Sequence, residues 1–188
     1  MTKGLSANEL DIKISGILRS YDIGPIFHHL ELVGDGQKLE VMNQAKNGDT
    51  LYYQYLACMV RFLQPRQVVE LGAANGVSSI MMLTEMPKDS KLYSVDIDPS
   101  IAWKWMKHDY PQLVKVLGDD LNMAIWPGDV DLGKTDLWFI DTLHLKGQLE
   151  KELALYKPYF NKSAVVVLDD IRIPGMWEVW EGLPYDKL

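Results

Sequence analysis

The chain has 188 residues, the length of one ordinary domain. Its hydrophobic share of 47% and charged share of 24% are those of a globular protein with a sizeable core, which excludes a disordered or fibrous chain. Nineteen Lys and Arg against 26 Asp and Glu leave a formal charge of -7, which repels phosphate backbones and anionic lipid surfaces and argues against nucleic-acid and membrane partners.

The first ten residues, MTKGLSANEL, hold no apolar run of signal-peptide length, so a soluble, cytoplasmic protein is expected. Residues 8–20 place Leu10, Ile14, Ile17 and Leu18 on one helical face, and Gly24-Pro25 breaks that pattern before a short segment at 26–33. His28 and His29 lie there, far from any strand end, and read as a cap or a solvated face. Across 50–63 the apolar face is wide, which predicts a well-buried helix that Pro65 stops. The single cysteine, Cys58, sits inside this apolar pattern and reads as structural. Residues 1–64 therefore form a helical N-terminal region of the same domain.

The period changes from residue 67, where five β-rich runs (67–71, 91–96, 113–117, 136–141 and 163–169) alternate with helical stretches. Val68-Val69, Leu137–Ile140 and Ala164–Leu168 are apolar on both faces, as buried parallel strands are. Leu145, Leu149, Leu153 and Tyr156 mark an amphipathic helix between the last two strands. The fold class is α/β: a doubly wound, mostly parallel, Rossmann-like sandwich over 65–175 with a helical preamble.

Ligands of such sheets bind outside the carboxyl ends of the strands, so the five exits carry the functional reading. The first exit reads VVELGAANGVSS over 68–79, where Gly72 permits a tight turn and Gly76 permits close backbone approach. A small-molecule loop and a plain turn both fit. The pattern is not the GxGxxG of dinucleotide sites, and Glu70 just before the turn favours a cationic ligand over a pyrophosphate. Asp96 closes the second strand, where a carboxylate accepts hydrogen bonds from a ribose diol, with helix capping by Asp98 as the plainer reading of that corner. Asp119 and Asp120 follow the third strand and suit either an adenine amino group or the next helix start.

Over about residues 40–175 the chain resembles the class I S-adenosylmethionine-dependent methyltransferases. Glu70, Gly72, Asn75, Gly76 and Ser78 look like that family's E-x-G-x-x-x-G-x-S loop, Asp96 like its ribose-binding acid, and Asp119-Asp120 fall where its adenine contact lies. The resemblance implies cofactor binding by these residues together with Ala73 in the loop and Ile97 after Asp96.

The fourth exit puts Asp141 at the strand end with His144 three residues on, and the fifth ends in Asp169-Asp170. Three carboxylates on neighbouring strands repel one another unless a hard divalent cation binds, and an oxygen-only set favours Mg²⁺ or Mn²⁺. The constellation resembles metal-dependent O-methyltransferases of the catechol and macrolide-sugar types, which implies Asp141, Asp169 and Asp170 as ligands and His144 as the base that deprotonates a small hydroxylated acceptor. Capping roles for the two aspartates and a surface role for His144 are the structural alternative. Trp177 and Trp180 at i, i+3 wall an acceptor pocket or pack at an interface.

The family continues past strand 5 into a helix and an antiparallel strand pair, whereas this sequence ends at Leu188. A fragment is one expectation. The other is an exposed strand 5 that a partner such as a second copy, a loop or the C-terminal tail covers. Two competing functions follow: an S-adenosylmethionine-binding domain without catalysis, and a nicotinamide-dependent dehydrogenase, the latter disfavoured by Glu70 and the missing GxGxxG.

Overall fold

The computed structural model describes residues 5–30 and 51–187. The end of the expected 26–33 segment lies outside them. Helix α1 (Ala7–Leu18) starts at a capping box: the Glu9 N–H donates to Ser6 Oγ at 3.3 Å while the Ser6 N–H donates to Glu9 Oε2 at 2.8 Å. Its buried Leu10 and Ile14 pack on Leu56, Met59 and Val60 of helix α2 (Leu51–Leu63). A 3₁₀ turn at Gly24–His28 lies between them in sequence. Cys58 is fully buried in α2, and burial pushes its thiol up to about 11, as a structural cysteine requires.

Five parallel strands follow, β1 (Gln67–Leu71), β2 (Lys91–Asp96), β3 (Leu113–Leu117), β4 (Leu137–Ile140) and β5 (Val165–Leu168), in the order β3-β2-β1-β4-β5. Side-chain alternation divides them between two layers. Val68, Leu92, Leu137 and Phe139 face α1, α2 and helix α3 (Val77–Leu83), whereas Val69, Leu71, Val95, Val116, Trp138 and Ile140 face helix α4 (Lys146–Tyr156) through Leu149, Leu153 and Tyr156. A last short helix, α5 (Met176–Glu181), packs on the α4 side. Among the described residues no helix is long and apolar enough to cross a membrane.

Three expectations are corrected. The β2–β3 and β3–β4 connections hold no α-helix: 97–112 runs through turns, and 118–135 through 3₁₀ turns at Met123–Ile125 and Leu132–Lys134. Pro99, Pro111, Pro127 and four glycines or left-handed residues in these stretches, among them Trp103 at φ 55° and Gly118 at φ 157°, prevent a continuous helix. Leu145 lies one residue before α4 in extended conformation and is exposed. β5 is an edge strand whose side chains are half-buried, not sealed on both faces, and a groove of about 740 Å³ runs along it between α1 and the C-terminal tail. The Ala7 N–H donates to Asp186 Oδ2 at 2.7 Å, joining the two walls of that groove.

The chain leaves β1 toward β2 and later returns on its other side as β4, so the winding direction reverses between β1 and β4. A crevice opens at such a switch point. Gly72 is indispensable there: its φ is +88°, and a Cβ on it would stand 1.7 Å from the Asp141 carbonyl oxygen.

Candidate functional site: two loops and an acidic cluster at the switch point

The loop after β1 is held by its neighbours. The Gly72 and Ala73 N–H groups both donate to the Val95 carbonyl, at 3.0 and 3.1 Å. Asp96 Oδ2 accepts from the Ala74 N–H at 2.7 Å, and its Oδ1 from the Asp98 N–H at 2.8 Å. Asp96 thus stands against the glycine loop, as a ribose-binding acid needs to, with spare lone pairs on both oxygens. Asp98 caps its own turn through Ser100. Ile97, next in line, is 67% exposed. Asn75 accepts from the Val77 N–H at 3.3 Å, and Gly76 (φ +91°) starts α3.

Glu70 is turned inward. It is fully buried and accepts from Ser78, Ser79 and Ser94 hydroxyls, each at 2.5 Å. Burial pushes its carboxyl up while the three serines act in the opposite direction. Ser94 Oγ also accepts from Trp103 Nε1 at 2.8 Å, and the Trp103 and Trp105 N–H groups donate to the Ala74 and Asn75 carbonyls at 2.8 and 3.0 Å. Glu70 and Ser78 therefore brace the loop from within, and the turn carrying Trp103 clamps it from outside. Sequence reading missed Trp103, because a left-handed tryptophan has no local signature.

After β3, Asp119 is exposed and accepts from the Leu121 N–H at 2.9 Å, the turn-capping arrangement. Asp120 is half-buried and engages Glu152 of α4.

The acids at β4 and β5 do come together. Asp141 follows β4, its N–H donating to the Leu71 carbonyl at 2.8 Å, and Asp169 follows β5, its N–H donating to the Ile140 carbonyl at 3.0 Å. Ligand atoms of Asp141, His144 and Asp169 all lie within 4.8 Å of one another. Asp170, in a left-handed conformation at φ 50°, is outside that set and contacts the His144 ring instead. His144 Nε2 lies 3.0 Å from Asp141 Oδ1, and its Nδ1 lies 3.1 Å from Asp170 Oδ2.

The electrostatics are those of crowded acids. Burial, then the charge of Asp169, pushes Asp141 up to about 7. Burial and the charge of Asp170 raise Asp169. Burial works against charged His144, but the Asp141 hydrogen bond and the surrounding carboxylates outweigh it and hold its pKa above the ordinary value. The two half-buried carboxylates of Asp141 and Asp169, with the His144 imidazole beside them, suit a Mg²⁺ or Mn²⁺ ion that takes oxygen ligands and keeps part of its water shell. Trp177 and Trp180 stack with ring centroids 4.7 Å apart, and Trp177 is 44% exposed.

The fold matches those of solved methyltransferases. A methyltransferase from Geobacter sulfurreducens is 19% identical, with 93% of this chain and 88% of that one covered and a TM-score of 0.61. The O-methyltransferase TomG from Streptomyces achromogenes, involved in tomaymycin synthesis and solved in complex with SAM, is 20% identical over 80% of this chain and 77% of its own, with a TM-score of 0.56. The SAH-bound methyltransferase PaMTH1 from Podospora anserina is 14% identical over 88% and 71%, with a TM-score of 0.51. No curated protein matches the sequence. The family model of the methyltransferase domain matches residues 69–171, from the middle of β1 to just past Asp169 and Asp170. With more than half of its length matched and the fold in agreement, this chain belongs to the methyltransferase-domain family.

Proposed function

We propose that the protein transfers a methyl group from S-adenosylmethionine to a hydroxyl of a small acceptor with the help of a divalent ion. The observation that carries this reading is the convergence of Asp141, His144 and Asp169 at the switch point, directly beside the Gly72 turn. The loop from Gly72 to Gly76, Asp96 and Ile97 would hold the nucleoside end of the cofactor, and the acid-rich crevice suits a sulfonium cation.

Asp141 and Asp169 would hold Mg²⁺ or Mn²⁺, whose chemistry when bound is to lower the pKa of the acceptor hydroxyl and orient it. His144, whose Nε2 faces Asp141 Oδ1 at 3.0 Å in this structure, would take the hydroxyl proton on that side of its ring once Asp141 turns to the metal. Asp170, 3.1 Å from Nδ1, fixes the ring and stabilises the imidazolium that results, a positioning role in place of the ligand role its sequence position suggested. Oxygen attack on the sulfonium methyl then needs alignment more than further chemistry, and the two rigid strand ends supply it.

The test is methyl transfer from isotopically labelled S-adenosylmethionine to a panel of catechols, phenols and sugars, with Mn²⁺ and with EDTA. Metal-dependent labelling of an oxygen supports the reading. Labelling that is unchanged in EDTA removes the metal, and S-adenosylhomocysteine binding with no labelled product favours a binding domain without catalysis.

A further inference from the structure

An acid on the buried stripe of an amphipathic helix requires a partner, and α4 carries one. Glu152 lies between Leu149 and Leu153 and is 1% exposed. Its Oε1 accepts from Thr142 Oγ1 and from Gln148 Nε2, the latter at 2.8 Å. Its Oε2 is buried with no N–H or O–H donor, and Asp120 Oδ2 is in the same condition. The two carboxyls contact each other. No Lys, Arg or His of the described residues forms an ion pair with either. The other groups facing the pair are Asp119 on its own loop, whose charge adds to the repulsion, and Tyr156 of α4, whose hydroxyl donates to the Asp120 carbonyl.

Two ionised carboxylates in that position would leave two buried oxygens unsatisfied and mutually repelled. One proton between them removes both defects in a single hydrogen bond. We propose that Asp120 and Glu152 share one proton, and that this carboxyl pair ties the β3 exit to the β4 exit through Thr142, positioning the loop between Asp141 and His144. The pair spans strands that are not neighbours in the sheet, because the β3–β4 connection lacks a helix and brings Asp120 down onto α4. Burial and the charge of Glu152 push Asp120 up to about 7, so the proton is held in mild acid, half lost near neutral pH and gone in mild alkali. The shared proton stands apart from the proposed methyl transfer. The consequence for the cofactor site rests on it.

The experiment compares wild type with Asp120→Asn and Asp120→Ala. An acid raised in the fold binds a proton that the unfolded chain releases near pH 4, so its contribution to stability falls as pH rises from about 4 to about 7. Asparagine places a permanent N–H donor where the proton sits and lacks that loss. The melting temperature of Asp120→Asn relative to wild type should therefore climb between pH 5 and pH 8, whereas Asp120→Ala, which leaves Glu152 unpaired, should melt below wild type throughout. A difference between Asp120→Asn and wild type that is constant with pH overturns the shared proton.

The second readout is the affinity for S-adenosylhomocysteine. Wild type should lose about tenfold more between pH 6.5 and pH 9 than Asp120→Asn does, and Asp120→Ala should be weak at every pH. Parallel pH profiles for wild type and Asp120→Asn overturn the positioning role. Absence of S-adenosylhomocysteine binding in wild type counts against the proposed cofactor, while the melting profiles still decide the proton.

Discussion

Replacing Asp169 with asparagine should make the metal-free protein more stable, the reverse of what removing a structural residue does. Asp141 keeps only 20% of its side chain exposed, and its carboxyl stands at about 7 because of burial first and the charge of Asp169 second. Holding an acid that far above its ordinary 3.8 withholds about 4 kcal/mol of stability above pH 7. The sign follows from linkage: the fold keeps a proton that the unfolded chain gives up, so stability falls as pH rises from about 4 to about 7. Burial supplies the larger share, which leaves about 1–2 kcal/mol to be recovered when Asp169 loses its charge, or about 2–8 °C in melting temperature for a chain of this size. The gain should shrink toward pH 4, where Asp141 is protonated in both proteins. Mn²⁺ at a hundred times its Kd should then stabilise wild type by about 2.7 kcal/mol and the variant far less, inverting their order. Thermal melts at pH 4, 6 and 8, with and without Mn²⁺, read all of this. A variant that is less stable than wild type at pH 8 without metal, or that gains as much from Mn²⁺, refutes the reasoning.

Gly72→Ala should cost about 4 kcal/mol or more, seen as a collapse of the urea midpoint, because its Cβ would meet the Asp141 carbonyl at 1.7 Å from a backbone at φ +88°. Gly16→Ala is the contrasting case: it lies within α1 with nothing within 4 Å of a Cβ, and should add about 0.5–1 kcal/mol in the same assay. His144→Ala should lower kcat by about 10²–10⁴-fold and leave calorimetric cofactor affinity nearly unchanged. Since the neighbouring acids hold the His144 pKa above its ordinary 6.5, the wild-type rate should still be rising with pH above 6.5. Asp96→Ala should weaken S-adenosylhomocysteine binding by about 1–3 kcal/mol, measured by calorimetry, through lost hydrogen bonds to the ribose.

The strands were legible in the sequence because runs such as Leu137–Ile140 are apolar on both faces, short and bounded by turn residues, which together favour a buried strand over a helix. α1 and α2 were legible from their periodicity. The β2–β3 and β3–β4 connections were misread as helical because interrupted apolar spacing persists in turns, and Trp103 packs inward at 8% exposure from a non-helical backbone. At the site, the approach of Asp141 and Asp169 followed from strand adjacency, whereas His144 entered through the resemblance to metal-dependent O-methyltransferases. Which face Asp170 presents did not, because a left-handed residue after a strand reverses the side-chain direction that simple alternation predicts. Glu70 shows the limit of motif reading: its place in the loop was recognised, but its three serine partners come from α3 and β2 and are set by packing. Glu152 had a usable signal in its position on the buried stripe of α4.

The most direct test of metal-assisted methyl transfer is the anomalous diffraction of Mn²⁺ in crystals grown with S-adenosylhomocysteine. One anomalous peak should lie about 2.1 Å from carboxylate oxygens of Asp141 and Asp169, with His144 beside it and the cofactor's ribose at Asp96. S-adenosylhomocysteine bound in the crevice with no Mn²⁺ at these two aspartates, at a concentration that saturates a site of millimolar affinity, would contradict the metal. An empty crevice would contradict the cofactor as well.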